Sequence, residues 1–380
     1  MVMAGELVGW KKMVGMADYA GGAKIMLIID YVQRTAGATV VRLTYGYIPR
    51  DEDDEYIKIA ERAMDNFALA TTPGMFMVDV FPLLQYIPWA PFKRTAFEWR
   101  KQLSELIDVP MAFVNDQMNR GVAEPSFVSE WLEEPGSRND KSLIPLAAAG
   151  LYAGGADTTV SAISTFFVAI LHYPEAQRLA QKEIDEVLGK DRLPTLAERD
   201  SLPYVEALYK EVLRWQPLGP IGIPHRLGSE IDDEYKGAAH SKEKIHPELT
   251  FMTGMRIPAN SMVIANIWSM LRDPDVYQSP EMFEPSRYLG ASPEPDPEEV
   301  AFGFGRRRCP GIDVARSSVW LSVALTLAAY NVTPFIEKDG KTTLPSLEYT
   351  NATIRHPKPF RCNITPRSEN LRRMIEDMSL

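Results

Sequence analysis

From Leu143 to Tyr173 the chain carries one acidic residue, Asp157, and no lysine or arginine. So long an apolar run has two physical homes, a bilayer or the inside of a large core. Gly150-x-x-x-Gly154 has the spacing by which membrane helices pack. Pro145, the Gly154-Gly155 pair, Asp157 and the Thr158-Thr159 step weigh against a lipid-facing span, because polar groups in hydrocarbon are costly. A buried helix through the middle of a large soluble protein accommodates all of them. The chain can supply that core: it has 380 residues, 45% hydrophobic and 24% charged, an ordinary globular composition. A net charge of −10 argues against a nucleic-acid partner, although Arg306, Arg307 and Arg308 form a local basic run. The first apolar run, Ile25 to Ile29, is far too short to cross a membrane, and neither signal peptide nor anchor is expected.

Helical periodicity dominates up to Pro217. From Asp51 to Ala70 apolar residues recur at helical spacing behind an acidic first turn. Phe92 to Arg120 and Ser126 to Glu133 follow, and the apolar helix starts near Ser142. Pro174 stands where a helix over Glu175 to Leu188 can begin, and Gly189 closes it. Thr195-Leu-Ala-Glu198 reads as a capping box, and Leu202 to Trp215 as a helix stopped by Pro217. Short apolar runs then predict strands at Ile221 to Leu227, Met255 to Ile257 and Met262 to Ile267. Asp273 to Pro297 is Pro-rich and irregular. Helix returns after Cys309 to about Tyr330, and Thr343 to Pro366 reads as strands and turns. The expected fold class is mainly α with a small β portion, in one domain over 1–380. The polar, patternless stretch Ala238 to Gly254 reads as an inserted loop. Without it, Tyr235-Lys-Gly237 would meet Met255-Arg-Ile-Pro258 as a short hairpin.

Two cysteines, Cys309 and Cys362, cannot make a disulfide framework, and no zinc-type spacing exists. A lone cysteine is ordinarily a buried, inert side chain, and Cys362 is read so. Cys309 differs through its neighbours, Phe302-Gly-Phe-Gly-Arg-Arg-Arg-Cys-Pro-Gly311. A cysteine just before a helix meets the positive end of its dipole and free backbone N–H groups, and both favour thiolate. Thiolate is what a haem iron needs from an axial sulfur that pushes electrons toward O–O cleavage. Gly305 and Gly311 let the backbone approach a flat ligand, and Arg307 can pair with a propionate.

The pattern F-x-x-G-x-R-x-C-x-G, matched here at Phe302, Gly305, Arg307, Cys309 and Gly311, resembles the haem-binding loop of the cytochrome P-450 family. Five fixed residues arise by chance in a chain of this length at roughly 10⁻⁴, with residue usage near 5%. A basic surface turn before a helix is therefore the weaker explanation. The resemblance implies the cytochrome P-450 fold, heme b held by the Cys309 thiolate, and a monooxygenase. Such an enzyme inserts one oxygen atom of O2 into a small apolar organic substrate. Electrons would come from an external NADPH-cytochrome P-450 reductase, since no flavin or nicotinamide fingerprint lies in this chain. Gly154-Gly-Ala-Asp157-Thr158-Thr159 is similar to the family's oxygen-activation motif. It implies that Gly155 and Ala156 leave room for O2, that Thr158 hydrogen-bonds the bound oxygen and that Asp157 relays protons. A polar pair in a dry helix otherwise has only a cost.

Glu211-Val-Leu-Arg214 places a carboxylate and a guanidinium on one helix face, which alone would read as a solvated surface pair. It resembles the family's E-x-x-R, and Pro285-Ser-Arg287-Tyr288 resembles the segment that brings a second arginine. The resemblance implies a buried structural cluster of Glu211, Arg214 and Arg287. Pro224-His225-Arg226 resembles the segment that sets an arginine, here Arg226, against a haem propionate, with His225 structural. Leu218 to Ile223 and Tyr349 to Ile354 resemble pocket-lining segments. The resemblance runs from about Leu43 onward, with an earlier patch near Gly5 to Tyr19, and its overall cast is fungal, which implies secondary metabolism or xenobiotic oxidation. The family's N-terminal anchor and its Trp-x-x-x-Arg helix have no match, and Trp99-Arg100 has the wrong place and spacing. The chain is thus expected to be N-terminally incomplete. A complete member would associate with the endoplasmic reticulum membrane. The alternative reading is a truncated, catalytically silent member that binds haem weakly or not at all.

Overall fold

A computed structural model describes residues 36–49, 54–72, 74–134, 141–227, 233–235, 255–337 and 339–377. Residues 36–45 are helical. The principal helices after them are α1 (Glu55–Ala70), α2 (Pro91–Asn119), α3 (Phe127–Glu133), α4 (Ile144–His172), α5 (Pro174–Leu188), α6 (Pro203–Trp215), α7 (Ile312–Ala329) and α8 (Glu369–Asp377). Their starts follow local chemistry. The Asp54 carboxylate caps α1 by accepting the N–H groups of Tyr56 and Ile57. Ser126 and Ser129 cap α3 reciprocally, and proline opens α2, α5 and α6. The Thr195/Glu198 box is present, but it begins a 3-10 turn, Leu196–Ser201.

The apolar stretch is α4. It and α7 are long and apolar enough to cross a bilayer, yet 72% and 67% of their most apolar windows lie inside the fold. Their composition is explained by packing. From Thr159 to Leu171 every residue of α4 is buried. That half joins α5, α6, α7 and the sheet in one core containing Phe166, Ile170, Tyr209, Trp215, Trp320 and Leu325. The first half of α4 packs a second core with 36–45, α1 and α2, through Val41, Tyr45, Ile59, Leu106 and Tyr152.

Strands are few and short. β1 (His225–Arg226) pairs with β4 (Met262–Val263), and β2 (Asp233–Tyr235) pairs with β3 (Met255–Ile257). β5 (Tyr330–Ile336) lies between β6 (Thr342–Thr343) and β7 (Cys362–Pro366). The expected strand Ile221 to Leu227 shrinks to two residues. Pro220 and Pro224 have no N–H for a ladder, so Gly222 and Leu227 donate singly to Ala265 and Ser261. The strand expected over Met262 to Ile267 stops at Val263, and Ile267 begins a short helix, Ile267–Leu271. β5 and α8 were not anticipated. β2 and β3 pair with Tyr235 opposite Met255; the segment Ala238 to Gly254 between them lies outside the described residues, as does Gly5 to Tyr19.

Candidate functional site

The segment before α7 is a tight double turn. Gly303 and Gly305 have φ of 77° and 57°, conformations that cost L-residues with a Cβ. The Arg307 and Arg308 N–H groups donate to Phe304 and Gly305, and the Cys309 N–H donates to the Phe302 carbonyl at 2.8 Å. Phe302 is half-buried against the main core. The loop thus hangs from the core and presents Cys309, half-buried, three residues before α7. A Cβ on Gly311 would stand 3.8 Å from the Cys309 sulfur, so this glycine keeps the thiol's near side open. Cys362 is fully buried in β7 and its thiol is pushed up to about 12 by that burial, which makes it inert.

A network not anticipated from the sequence braces this loop. Glu298 is 5% exposed and accepts from Arg316 of α7 through both carboxylate oxygens, at 3.0 and 2.5 Å. It also accepts from the Tyr209 hydroxyl of α6 at 2.8 Å. Burial, and then the Glu298 charge, hold the Tyr209 phenol far above its usual range. Arg308, beside Cys309, donates to the Glu298 carbonyl and to the Glu299 carboxylate. One buried acid therefore ties α6, α7 and the cysteine loop together.

The polar step of α4 faces two ways. Leu146, Gly150 and Gly154 are exposed along one side of the helix's first half, as a spacing of four dictates. Among the described residues nothing lies within 4 Å of a Cβ placed on Gly150 or Gly154. Thr158 continues this open stripe and donates its hydroxyl to the Gly154 carbonyl at 2.6 Å. The room expected at Gly155 is absent: a Cβ there would meet the Val40 side chain at 2.7 and 3.0 Å. Gly155 is the close-approach point between α4 and helix 36–45, and the opening lies at Gly154. Ala156 is half-buried and packs with the second core. Asp157 turns toward His356, with Oδ1 3.1 Å from Nε2.

The structure brings Glu211, Arg214 and Arg287 together. Glu211 and Arg214 are fully buried and joined by two hydrogen bonds at 2.7 and 2.8 Å. Arg287 adds a third at 3.1 Å, with 3% of its side chain exposed. The Glu284 N–H and the Tyr288 hydroxyl complete the shell of Glu211. Arg214 also donates to the carbonyls of Leu271, Pro280 and Met282. Arg287 pairs further with Glu294 at 2.6 Å. A local pair on α6 thus pins the irregular segment that precedes the cysteine loop.

Of the expected site residues, two arginines remain. Arg226 on β1 donates to Asn260 at 2.5 Å, and its neighbour His225 is exposed. Arg307 is exposed and has no side-chain partner among the described residues. Ile221, Ile223 and Phe304 present 56%, 78% and 41% of their surface to solvent. An accessible thiol, open apolar side chains and two arginines suit a flat apolar macrocycle that carries a thiophilic metal and two carboxylates. The residues present fit haem.

A mostly helical fold built on a buried central helix carries a cysteine loop that leads into a second core helix. The cytochrome P-450 family model matches residues 26–364, and the chain belongs to that family. It is 44% identical over 358 residues to cytochrome P-450 monooxygenase 208 of Postia placenta, covering 92% of this chain and 66% of that protein. It is 42% identical over 361 residues to cytochrome P-450 monooxygenase claR of Ampulloclitocybe clavipes, covering 92% and 64%. The chain thus spans just under two thirds of the length of these relatives. A zebrafish cytochrome P-450 solved with progesterone shares the fold, with TM-score 0.71 and 21% identity over 96% of this chain and 78% of that one.

Proposed function

We propose that the protein is a haem-dependent monooxygenase. It would insert one oxygen atom of O2 into a small apolar organic substrate, drawing electrons from an external NADPH-cytochrome P-450 reductase. The observation that carries this reading is the open stripe along α4, where Gly154 leaves space and Thr158, one turn on, sets a hydroxyl beside the acid Asp157. Apolar packing alone gives no reason for an acid there.

Heme b, when bound, supplies the activation of O2. Cys309 would be its thiolate ligand, with the loop held in place by Phe302 and by the Arg308–Glu298 contacts. Arg226 and Arg307 would take the propionates as charge-assisted pairs. Gly305 gives the loop its turn, and Gly311 leaves the sulfur uncovered. Thr158 would hold a proton at the open face, and Asp157 would replenish it. Ile221 and Ile223 offer apolar surface to a substrate. Fungal relatives named as monooxygenases support the reading.

A carbon monoxide difference spectrum of the reduced protein tests it. The expected result is a thiolate-type Soret band that Cys309→Ala abolishes. No band in the wild type would overturn the reading and leave a haem-free, silent member of the family.

A further inference from the structure

His356 belongs to none of the motifs above, yet it is the ion-pair partner of Asp157. The Asp157 and His356 side chains are 21% and 25% exposed. A carboxylate oxygen and a ring nitrogen at 3.1 Å attract each other only when that nitrogen carries hydrogen. The segment bearing His356 is held on several sides. The His356 N–H donates to Thr350 Oγ1 at 3.0 Å, and the Thr350 N–H donates to the His356 carbonyl at 2.9 Å. Ser161 of α4 donates to the Arg355 carbonyl at 2.5 Å, and the Arg355 N–H donates to Leu218 at 2.8 Å. Thr353 donates to Thr71, just past α1, at 2.7 Å. The imidazole is therefore delivered to Asp157 by a braced loop.

A third ionisable group stands close by. Solvent reaches Asp65 of α1, but the protein around it partly desolvates its carboxyl. That desolvation first, and the Asp157 charge second, hold Asp65 above the usual carboxylate range, while His356 draws it back. Asp157 on α4 pairs directly with His356, and the charge of Asp65 on α1 is felt at the same place. A partly exposed imidazole paired with a carboxylate has the parts of a proton relay.

We propose that His356 is a positioning residue that orients Asp157 and hands it protons from solvent. The Nε2–H proton passes to Asp157 Oδ1, and the ring takes a replacement from water at Nδ1. One proton enters and one leaves, with no change of oxidation state at either residue. The inference rests on the monooxygenase reading, which needs protons at the open face beside Thr158.

The test uses the natural full-length holoenzyme with His356→Gln, His356→Ala and Asp157→Asn. Glutamine still offers an N–H to Asp157 but cannot pass a proton on. His356→Gln is expected to keep the carbon monoxide band and the substrate affinity. Product formation should fall on the order of 10²-fold, as for loss of an acid–base group, while reductant is diverted to peroxide. A larger solvent deuterium effect on product formation should accompany the loss. A His356→Gln enzyme as well coupled as the wild type would reduce His356 to a structural brace and overturn the proposal. A second readout is independent of turnover. With the histidine nitrogens isotopically labelled for NMR, the His356 ring signal, identified by its loss in His356→Gln, should shift in Asp157→Asn. An unmoved signal would mean that the pair is not formed, and the proposal fails. A wild type with no thiolate-type band is a distinct outcome; it removes the monooxygenase reading, and the relay falls with it.

Discussion

The Glu211–Arg214 pair gives the sharpest energetic test. Four charges meet there, Glu211 and Glu294 against Arg214 and Arg287, and they balance. Glu211 and Arg214 are wholly buried, and Glu294 is 20% exposed. Arg214→Met leaves Glu211 with less than its compensation and strips donors from the carbonyls of Leu271, Pro280 and Met282. Breaking a buried pair costs about 3–5 kcal/mol, and unsatisfied acceptors add to it. The expected loss is at the upper end, about 5 kcal/mol, comparable with the whole stability of a marginal domain. Glu211→Gln keeps the shape and one acceptor oxygen, and Glu294 still neutralises Arg287, so about 3 kcal/mol is expected. Glu294→Gln acts on a partly exposed group and should cost under about 1 kcal/mol.

The double variant Glu211→Gln, Arg214→Met restores the charge balance. Its loss should fall short of the sum of the singles by about 2 kcal/mol, the coupling of contacting residues. Urea unfolding followed by tryptophan fluorescence reads all four variants, and Trp215 reports from the site itself, its indole N–H bonded to the Glu281 carbonyl. Additivity of the two singles, or Arg214→Met costing no more than Glu294→Gln, would refute the argument that charge compensation holds this region.

Gly155→Ala should destabilise by about 1–2 kcal/mol, overpacking against Val40 exceeding the gain in helix propensity, and adding Val40→Ala should recover part of it; Gly154→Ala, with open space beside it, should be neutral or stabilising in the same assay. In the native ligand-free protein at mildly alkaline pH, iodoacetamide should label Cys309 and leave Cys362 unmodified, because burial holds the Cys362 thiol up to about 12; mass spectrometry of the peptides decides. Glu298→Ala should cost about 1–3 kcal/mol, reduced by the partial exposure of Arg316, and should weaken retention of the cysteine loop, read as faster proteolysis between Gly303 and Gly311. Thr158→Ala should leave substrate affinity nearly unchanged and divert reductant to peroxide, with product formation down on the order of 10²-fold; equal coupling in both proteins would remove Thr158 from the chemistry.

What the sequence discloses depends on where a residue's partner comes from. Thr195 and Glu211 find theirs within three residues on the same element, so local spacing marked the Thr195 capping box and set Glu211 and Arg214 on one helix face, while the burial of that pair came from the family resemblance. The cysteine loop was legible for the same reason, since its turn glycines and its helix are contiguous. Gly154 and Gly155 are chemically identical in the text, and what separates them is Val40, brought in by another helix. β5 carries Pro334, which argues against an inner strand, yet pairing to β7 from Tyr330 to Pro334 overrides it. Glu298 reads as one more acid in a Pro-rich stretch until Tyr209, 89 residues away, and Arg316, 18 residues away, are seen around it. His356 is the extreme case. Nothing beside it in sequence explains it, and its carboxylate partner comes from the middle of α4. The motif on α4 resembles one whose acid relays protons, but only the folded chain shows which side chain stands next to Asp157. A function carried by one element can be read from that element; a relay between elements becomes visible only with the packing that closes it.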